Sequence, residues 1–102
     1  MSNLKTLFQP LQLGHIALKN RIFMSATTRN RSVSTSVPNG INVEYYQQHA
    51  AGGAGFIATE SILIVQQSSQ WQNAAGIWSD DQVRGWKKVT DAVHKEGGVI
   101  FA

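Results

Sequence analysis

Apolar residues fall near alternate positions through "LFQPLQLGHIALKN", residues 7–20, with Phe8, Leu11, Leu13, Ile16 and Leu18 on either side of Gly14-His15. The two-residue period predicts a short β-hairpin turning at the glycine. "RIFM", residues 21–24, is a compact apolar run suited to a buried strand. A loop of threonine, arginine and serine follows and reaches Pro38-Asn39-Gly40. Asn39 is placed to cap a helix, and Ile41, Tyr45, Tyr46 and His49 recur at near-helical spacing before Gly52-Gly53, which predicts a helix from about Gly40 to Ala51. A second apolar run predicts a strand over Phe56 to Thr59, with Glu60 and Ser61 at its C-terminal end.

The next segment, "ILIVQQSSQWQNAAG", is ambiguous, because Ile62 to Val65 is strand-like and the Gln, Ser and Asn after it are loop-like. "WSDDQVRGWKKVTDAVHKEGG" is the strongest local signal. Ser79 with Gln82 three residues on makes a capping box, and Trp78 with Val83 has the spacing of a hydrophobic staple. Asp80 and Asp81 suit the positive start of a helix and Lys95 its negative end. Val83, Trp86, Val89, Thr90 and Val93 line one face, and Gly97-Gly98 stops the helix. "VIFA", residues 99–102, is a third apolar run.

The order is hairpin, β, α, β, α, β. Strands alternating with amphipathic helices point to an α/β fold of parallel βα units with right-handed crossovers. Ligands in such folds sit beyond the C-terminal ends of the strands, where the Thr/Arg/Ser loop and Glu60-Ser61 both lie. Three strands with two helices leave two open edges, an association hazard, and the chain reads as the first part of a longer βα series.

Composition narrows the function. The chain has 102 residues, 42% hydrophobic and 15% charged, which suits one globular domain at most. Its net charge of +3 comes from scattered Lys and Arg without a basic run, which argues against a nucleic-acid face. Without cysteine there is no disulfide frame, thiol nucleophile or Cys-zinc site. No apolar run of about 18 residues is present for a membrane span and "MSNLKTLFQP" lacks a signal peptide's apolar stretch, so a cytoplasmic protein is expected.

Candidate chemistry sits at the strand ends. Thr27, Thr28, Arg29 and Arg31 supply hydroxyl and guanidinium donors, although Ser and Thr also serve loops through local backbone bonds. The serines from Ser32 to Ser36 read as a mobile rim without an assigned role. The loop lacks the glycines and Gly-Lys-Ser/Thr ending of a P-loop, and "GGAG" at residues 52–55 precedes its strand where a dinucleotide fingerprint must follow one. His15, His49 and His94 have no metal-ligand spacing. Glu60 reads as a structurally satisfied carboxylate, with a base or ligand role as the alternative. Trp86 reads as core, Trp78 as staple, and Trp71 remains to face a ligand.

"LFQPLQLGHIALKNRIFMSATTR", "EYYQQHA", "FIATES" and "GIWSDDQVRGWKKVTDAVHKEGGVIFA" together resemble the N-terminal part of the old yellow enzymes, the FMN-dependent ene-reductases of the NADH:flavin oxidoreductase family. The resemblance runs in register from about Leu7 to Ala102. It implies part of a TIM (β/α)8 barrel, with the hairpin as its bottom cap and the three apolar runs as its first three strands. Such a barrel takes about 250 residues, so residues 1–102 are expected to be the N-terminal portion of one FMN-binding domain, cut after the third strand. The implied chemistry is hydride transfer from NAD(P)H through FMN to an activated alkene.

The family's Met-Ala-Pro-Leu-Thr-Arg motif stands here as Met24-Ser25-Ala26-Thr27-Thr28-Arg29. The resemblance implies that the Thr28 hydroxyl bonds the flavin ring carbonyl and stabilises the reduced form. Ala26 and Thr27, in place of proline and leucine, and Ser61, after Glu60, are implied backbone neighbours of the flavin. "QWQNAAGIW" replaces Gly-Tyr-x-Asn-x-Pro-Gly-x-Trp, with Trp71 for the substrate-side tyrosine and Ala75 for proline. The family's His/Asn pair, tyrosine proton donor and phosphate-binding arginines have no counterpart in these residues, so none is expected to be catalytic. The chain alone is expected to bind FMN weakly or not at all, and the alternative is a non-catalytic remnant or interaction fragment that needs a partner, either a complementary barrel fragment or a second copy of itself.

Overall fold

The computed structural model describes residues 4–68 and 71–102. Ser69 and Gln70, within the ambiguous segment, lie outside the described residues. A one-turn helix α1 (Leu4–Leu7), which the apolar pattern does not predict, leads into an antiparallel hairpin of β1 (Leu11–Leu13) and β2 (Ile16–Leu18). The turn falls where expected, because Gly14 has φ 59°, a left-handed conformation that costs glycine little. Leu18 alone of the hairpin's apolar side chains is fully buried, while Phe8, Leu13 and Ile16 are exposed.

The main sheet is parallel, in the order β3 (Phe23–Met24), β4 (Phe56–Ala58), β5 (Ile100–Phe101). Strand β3 is shorter than the apolar run 21–24. The Arg21 N–H goes to Leu7 O at 2.8 Å and the Ile22 N–H to Asn20 Oδ1 at 3.0 Å, so neither joins the ladder. Strand β4 stops at Ala58, although the Thr59 N–H still donates to Phe101 O. Among the described residues the ambiguous stretch holds one isolated parallel bridge, Leu63 to Gly76, and a 3-10 turn at Gln66–Ser68, rather than a full strand.

Helices α2 (Gly40–Ala51) and α3 (Asp80–Lys95) cover one face of this sheet. Both are capped as predicted. The Ile41 N–H donates to Asn39 Oδ1 and the Asn39 N–H to Asn42 Oδ1, while Gln82 and Ser79 exchange the same reciprocal bonds. Tyr46, Ala50, Ile57, Ala75, Trp86, Val89 and Val93 form the core. Ile57, Val89 and Val93 have no exposed surface, and full burial of such side chains contributes about 1.5–3 kcal/mol each.

The predicted faces hold at Tyr46 in α2 and at Trp86, Val89 and Val93 in α3, but differ at Ile41, His49 and Val83. In α2 the buried positions are Asn42, Tyr46 and Ala50, with Ile41 and His49 exposed. In α3 Val83 is exposed, as is Trp78, and Gln82 takes the buried position instead of a staple. Its amide accepts from the Trp78 and Ser79 N–H groups and donates to Thr35 O at 2.8 Å, bonds that a valine cannot make.

The serine loop is held in place. Asn30, Thr35 and Ser36 all adopt positive φ, an unfavourable state for residues with a Cβ. The neighbours maintain it: Asn73 N–H donates to Asn30 Oδ1 at 2.7 Å, Gly76 N–H to Ser36 O at 2.9 Å, and Gln82 Nε2 to Thr35 O. Within the segment read as a rim, the backbone makes a 3-10 turn at Ser34–Ser36 with Thr35 outside the helical region.

On the sheet face away from the helices, Phe23, Phe56 and Phe101 form a ladder, with ring centroids 5.2 and 4.9 Å apart. Phe23 and Phe101 are 51% and 38% exposed, and among the described residues β3 and β5 each pair on one side only. No helix of the described residues is long and apolar enough to cross a membrane.

Candidate functional site

Because the three strands are parallel, their C-terminal ends fall at one end of the sheet, which brings the loop after β3 beside the residues after β4. Thr28 and Ser61 line one cavity of about 200 Å³ with Leu63, Ser68, Trp71 and Ala74. Ser61 also borders a larger open cavity of about 550 Å³ over the strand ends, lined by Ala26, Phe56, Ala58, Ile64 and Phe101 among others. Thr28 is half-buried, whereas Ala26, Thr27 and Ser61 are exposed. The structure thus brings together Ala26, Thr28 and Ser61 across two adjoining cavities. Thr27 lines neither. Trp71 shares the Thr28 cavity, as its place in the sequence suggests.

Directly beneath these residues lies a buried polar cluster. Glu60 is 2% exposed, and its Oε2 accepts the Arg29 N–H at 3.1 Å. Its Oε1 accepts from Asn42 Nδ2 and from the Tyr46 hydroxyl, each at 3.3 Å, and the Glu60 N–H donates to the same hydroxyl at 2.7 Å. Each partner of the side chain is a donor, which matches the acceptor-only chemistry of a carboxylate. Burial, reinforced by the charge and side-chain bond of Glu60, pushes the Tyr46 phenol above its ordinary value, with the Glu60 N–H bond pulling the other way. Tyr46 therefore stays neutral. The Arg29 guanidinium lies over the Tyr45 ring, 4.9 Å from its centroid, so both ends of Arg29 are anchored near α2.

Glu60 is the satisfied carboxylate that the sequence suggests, but its partners were not legible there. Asn42 and Tyr46 precede it by 18 and 14 residues and belong to a different element. The one available signal was polar Asn42 and Tyr46 at i and i+4 of a helix whose next turn carries Ala50.

Comparison with known proteins places the chain in a family. The model of the NADH:flavin oxidoreductase / NADH oxidase family matches residues 6–102. The chain is 41% identical to flavin oxidoreductase hxnT of Emericella nidulans over 99% of its own length and 27% of that protein's. It is 36% identical to a probable flavin mononucleotide-dependent alkene reductase of Leishmania infantum, over 97% of its own length and 27% of that protein's. The solved old yellow enzyme homologue from Zymomonas mobilis superposes with a TM-score of 0.90 at 46% identity, covering 95% of this chain and 27% of that one. The chain spans about a quarter of the length of the relatives it matches. Its hairpin and open three-stranded sheet correspond to a piece of their TIM barrel, without barrel closure among the described residues. On these grounds the chain belongs to the NADH:flavin oxidoreductase / NADH oxidase family, that of the old yellow enzymes.

Proposed function

We propose that this chain forms one rim of an FMN site in an NAD(P)H-dependent reductase of activated alkenes, and that by itself it is incomplete and inactive. The observation that carries the reading is the convergence of Thr28 and Ser61, from successive strand ends, on one cavity beside a larger apolar one. FMN, when bound, supplies the redox chemistry, taking hydride from NAD(P)H and passing it to the alkene.

The residues fit the flavin ring. Ala26, Ala58 and Phe101 offer apolar surface to its flat face, while the Thr28 hydroxyl is a donor for a ring carbonyl and the backbone at Ala26, Thr27 and Ser61 can border its edge. Neither cavity is lined by Lys or Arg, so the phosphate must be held by other parts of a complete enzyme. The roles of the chain's own residues are to orient the ring and to donate one hydrogen bond. A second reading, a non-catalytic interaction fragment, is favoured by the exposed phenylalanine ladder and the two open strand edges.

The test replaces the matching segment of the Zymomonas mobilis homologue with this chain. The grafted protein is expected to retain FMN and to oxidise NAD(P)H in an alkene-dependent manner, while the isolated chain does neither. A folded graft without FMN contradicts the flavin reading. Stoichiometric FMN and alkene-dependent turnover in the isolated chain contradict its incompleteness.

A further inference from the structure

We propose that Glu60 is a positioning residue whose buried carboxylate sets the loop carrying Thr28 against the strand end carrying Ser61. The functional consequence rests on the flavin reading above, but the geometry does not. Glu60 immediately precedes Ser61, and its Oε2 receives the N–H of Arg29, which immediately follows Thr28. Among the described residues, this is the one main-chain N–H from Ser25 to Arg29 that is paired outside the strand ladder. The carboxylate is itself immobilised from below by Asn42 Nδ2, the Tyr46 hydroxyl and its own N–H bond to that hydroxyl. Asn42 serves twice, since its Oδ1 caps α2 while its Nδ2 holds Glu60. The start of α2, the end of β4 and the loop after β3 are thus joined through one side chain. A bond from an N–H to a buried charged acceptor is among the stronger ones, because the charge has no water to turn to.

Glu60→Gln preserves size but turns one acceptor into a donor. The amide can then meet the Arg29 N–H or the Asn42 and Tyr46 donors with an oxygen, not both sides. Adding Asn42→Asp places an acceptor opposite the new donor and restores the Asn42 side of the network, while the Tyr46 O–H remains without the carboxylate oxygen it donated to.

Amide hydrogen exchange and backbone NMR on the 102-residue chain test this without flavin. In the wild type, the Arg29 amide is expected to exchange at least roughly tenfold more slowly than those of Thr27 and Thr28. In Glu60→Gln that protection is expected to fall by about tenfold, with the Thr28 and Ser61 resonances moving together and the α3 core unchanged, and Glu60→Gln/Asn42→Asp is expected to recover part of it. An Arg29 amide as fast as Thr27 in the wild type overturns the proposal without any variant. So does unchanged Arg29 exchange in Glu60→Gln, or a loss spread evenly through α3 that the second substitution does not rescue. In the graft, Glu60→Gln is expected to weaken FMN retention by roughly tenfold. A graft that holds no FMN with Glu60 intact refutes the flavin reading and leaves the exchange result to decide the positioning role.

Discussion

Tyr46→Phe removes one oxygen from the centre of the molecule and leaves the ring, which packs edge-on against Tyr45 and 6.0 Å from Trp86. Tyr46 has no exposed surface, so water cannot replace what is lost. The Glu60 N–H loses its acceptor at 2.7 Å, and the carboxylate loses one of three donors. A buried donor left unpaired costs about 1–3 kcal/mol, and the weakened contact to a charged group adds about 1 kcal/mol. The missing atom opens too small a void to matter beside these terms. The expected destabilisation is therefore about 2–4 kcal/mol, a large share of the stability of a small domain. Urea denaturation followed by tryptophan fluorescence at pH 7 measures it. Because burial raises the Tyr46 pKa in the fold, its contribution is complete below the unfolded value of about 10 and is lost as pH rises through the folded value. The gap between wild type and variant should accordingly narrow above about pH 10, by at most about 1.4 kcal/mol per pH unit. A variant within about 0.5 kcal/mol of wild type at pH 7 would refute the central place given to this hydroxyl.

Gly85→Ala sets helix propensity against space. Alanine gains about 1 kcal/mol in a helix interior, but its Cβ would meet Pro38 O at 2.7 Å and Pro38 Cδ at 3.0 Å, and that backbone cannot rotate aside. Overpacking of this kind costs about 1–3 kcal/mol, so a thermal midpoint lowered by a few degrees is expected, and a raised midpoint contradicts the contact. Ser32 Oγ is buried without a hydrogen-bond partner among the described residues. Ser32→Ala should leave stability unchanged or raise it by up to about 1 kcal/mol in the same urea assay, whereas a loss above that reveals a bond to this hydroxyl.

How much of this was legible depended on how local the cause was. The α3 cap was readable because Ser79 and Gln82 lie three residues apart and satisfy each other. The hairpin was readable because Gly14 sits between two alternating runs. The buried faces were legible at Tyr46, Trp86, Val89 and Val93 and misread by one position at the helix starts, at Ile41 against Asn42 and at Val83 against Gln82. Hydrophobic periodicity assigns the apolar residue inward, but here a polar side chain was needed inside, one to hold Glu60 and one to hold Thr35 O. The order in the serine loop depends on Asn73, Gly76 and Gln82, each about 40 residues or more from its partner. At the site, Ala26, Thr27, Thr28 and Ser61 came from motif resemblance, since threonine and serine in a loop have no signature of their own. The convergence of Thr28 with Ser61 follows from parallel strand order, and that much was implied by alternating strands and helices.

On the proposed flavin reading, Thr28 meets the flavin and stabilises its reduced form. The reduction potential of FMN in the graft, measured for the wild type and for Thr28→Val, tests it most directly. Valine keeps the branched shape and removes the hydroxyl. Loss of one hydrogen bond that strengthens on reduction, worth about 1.4 kcal/mol, should make the two-electron potential about 30 mV more negative while flavin content stays the same. A potential unchanged within a few millivolts would place the Thr28 hydroxyl away from the flavin and contradict the account.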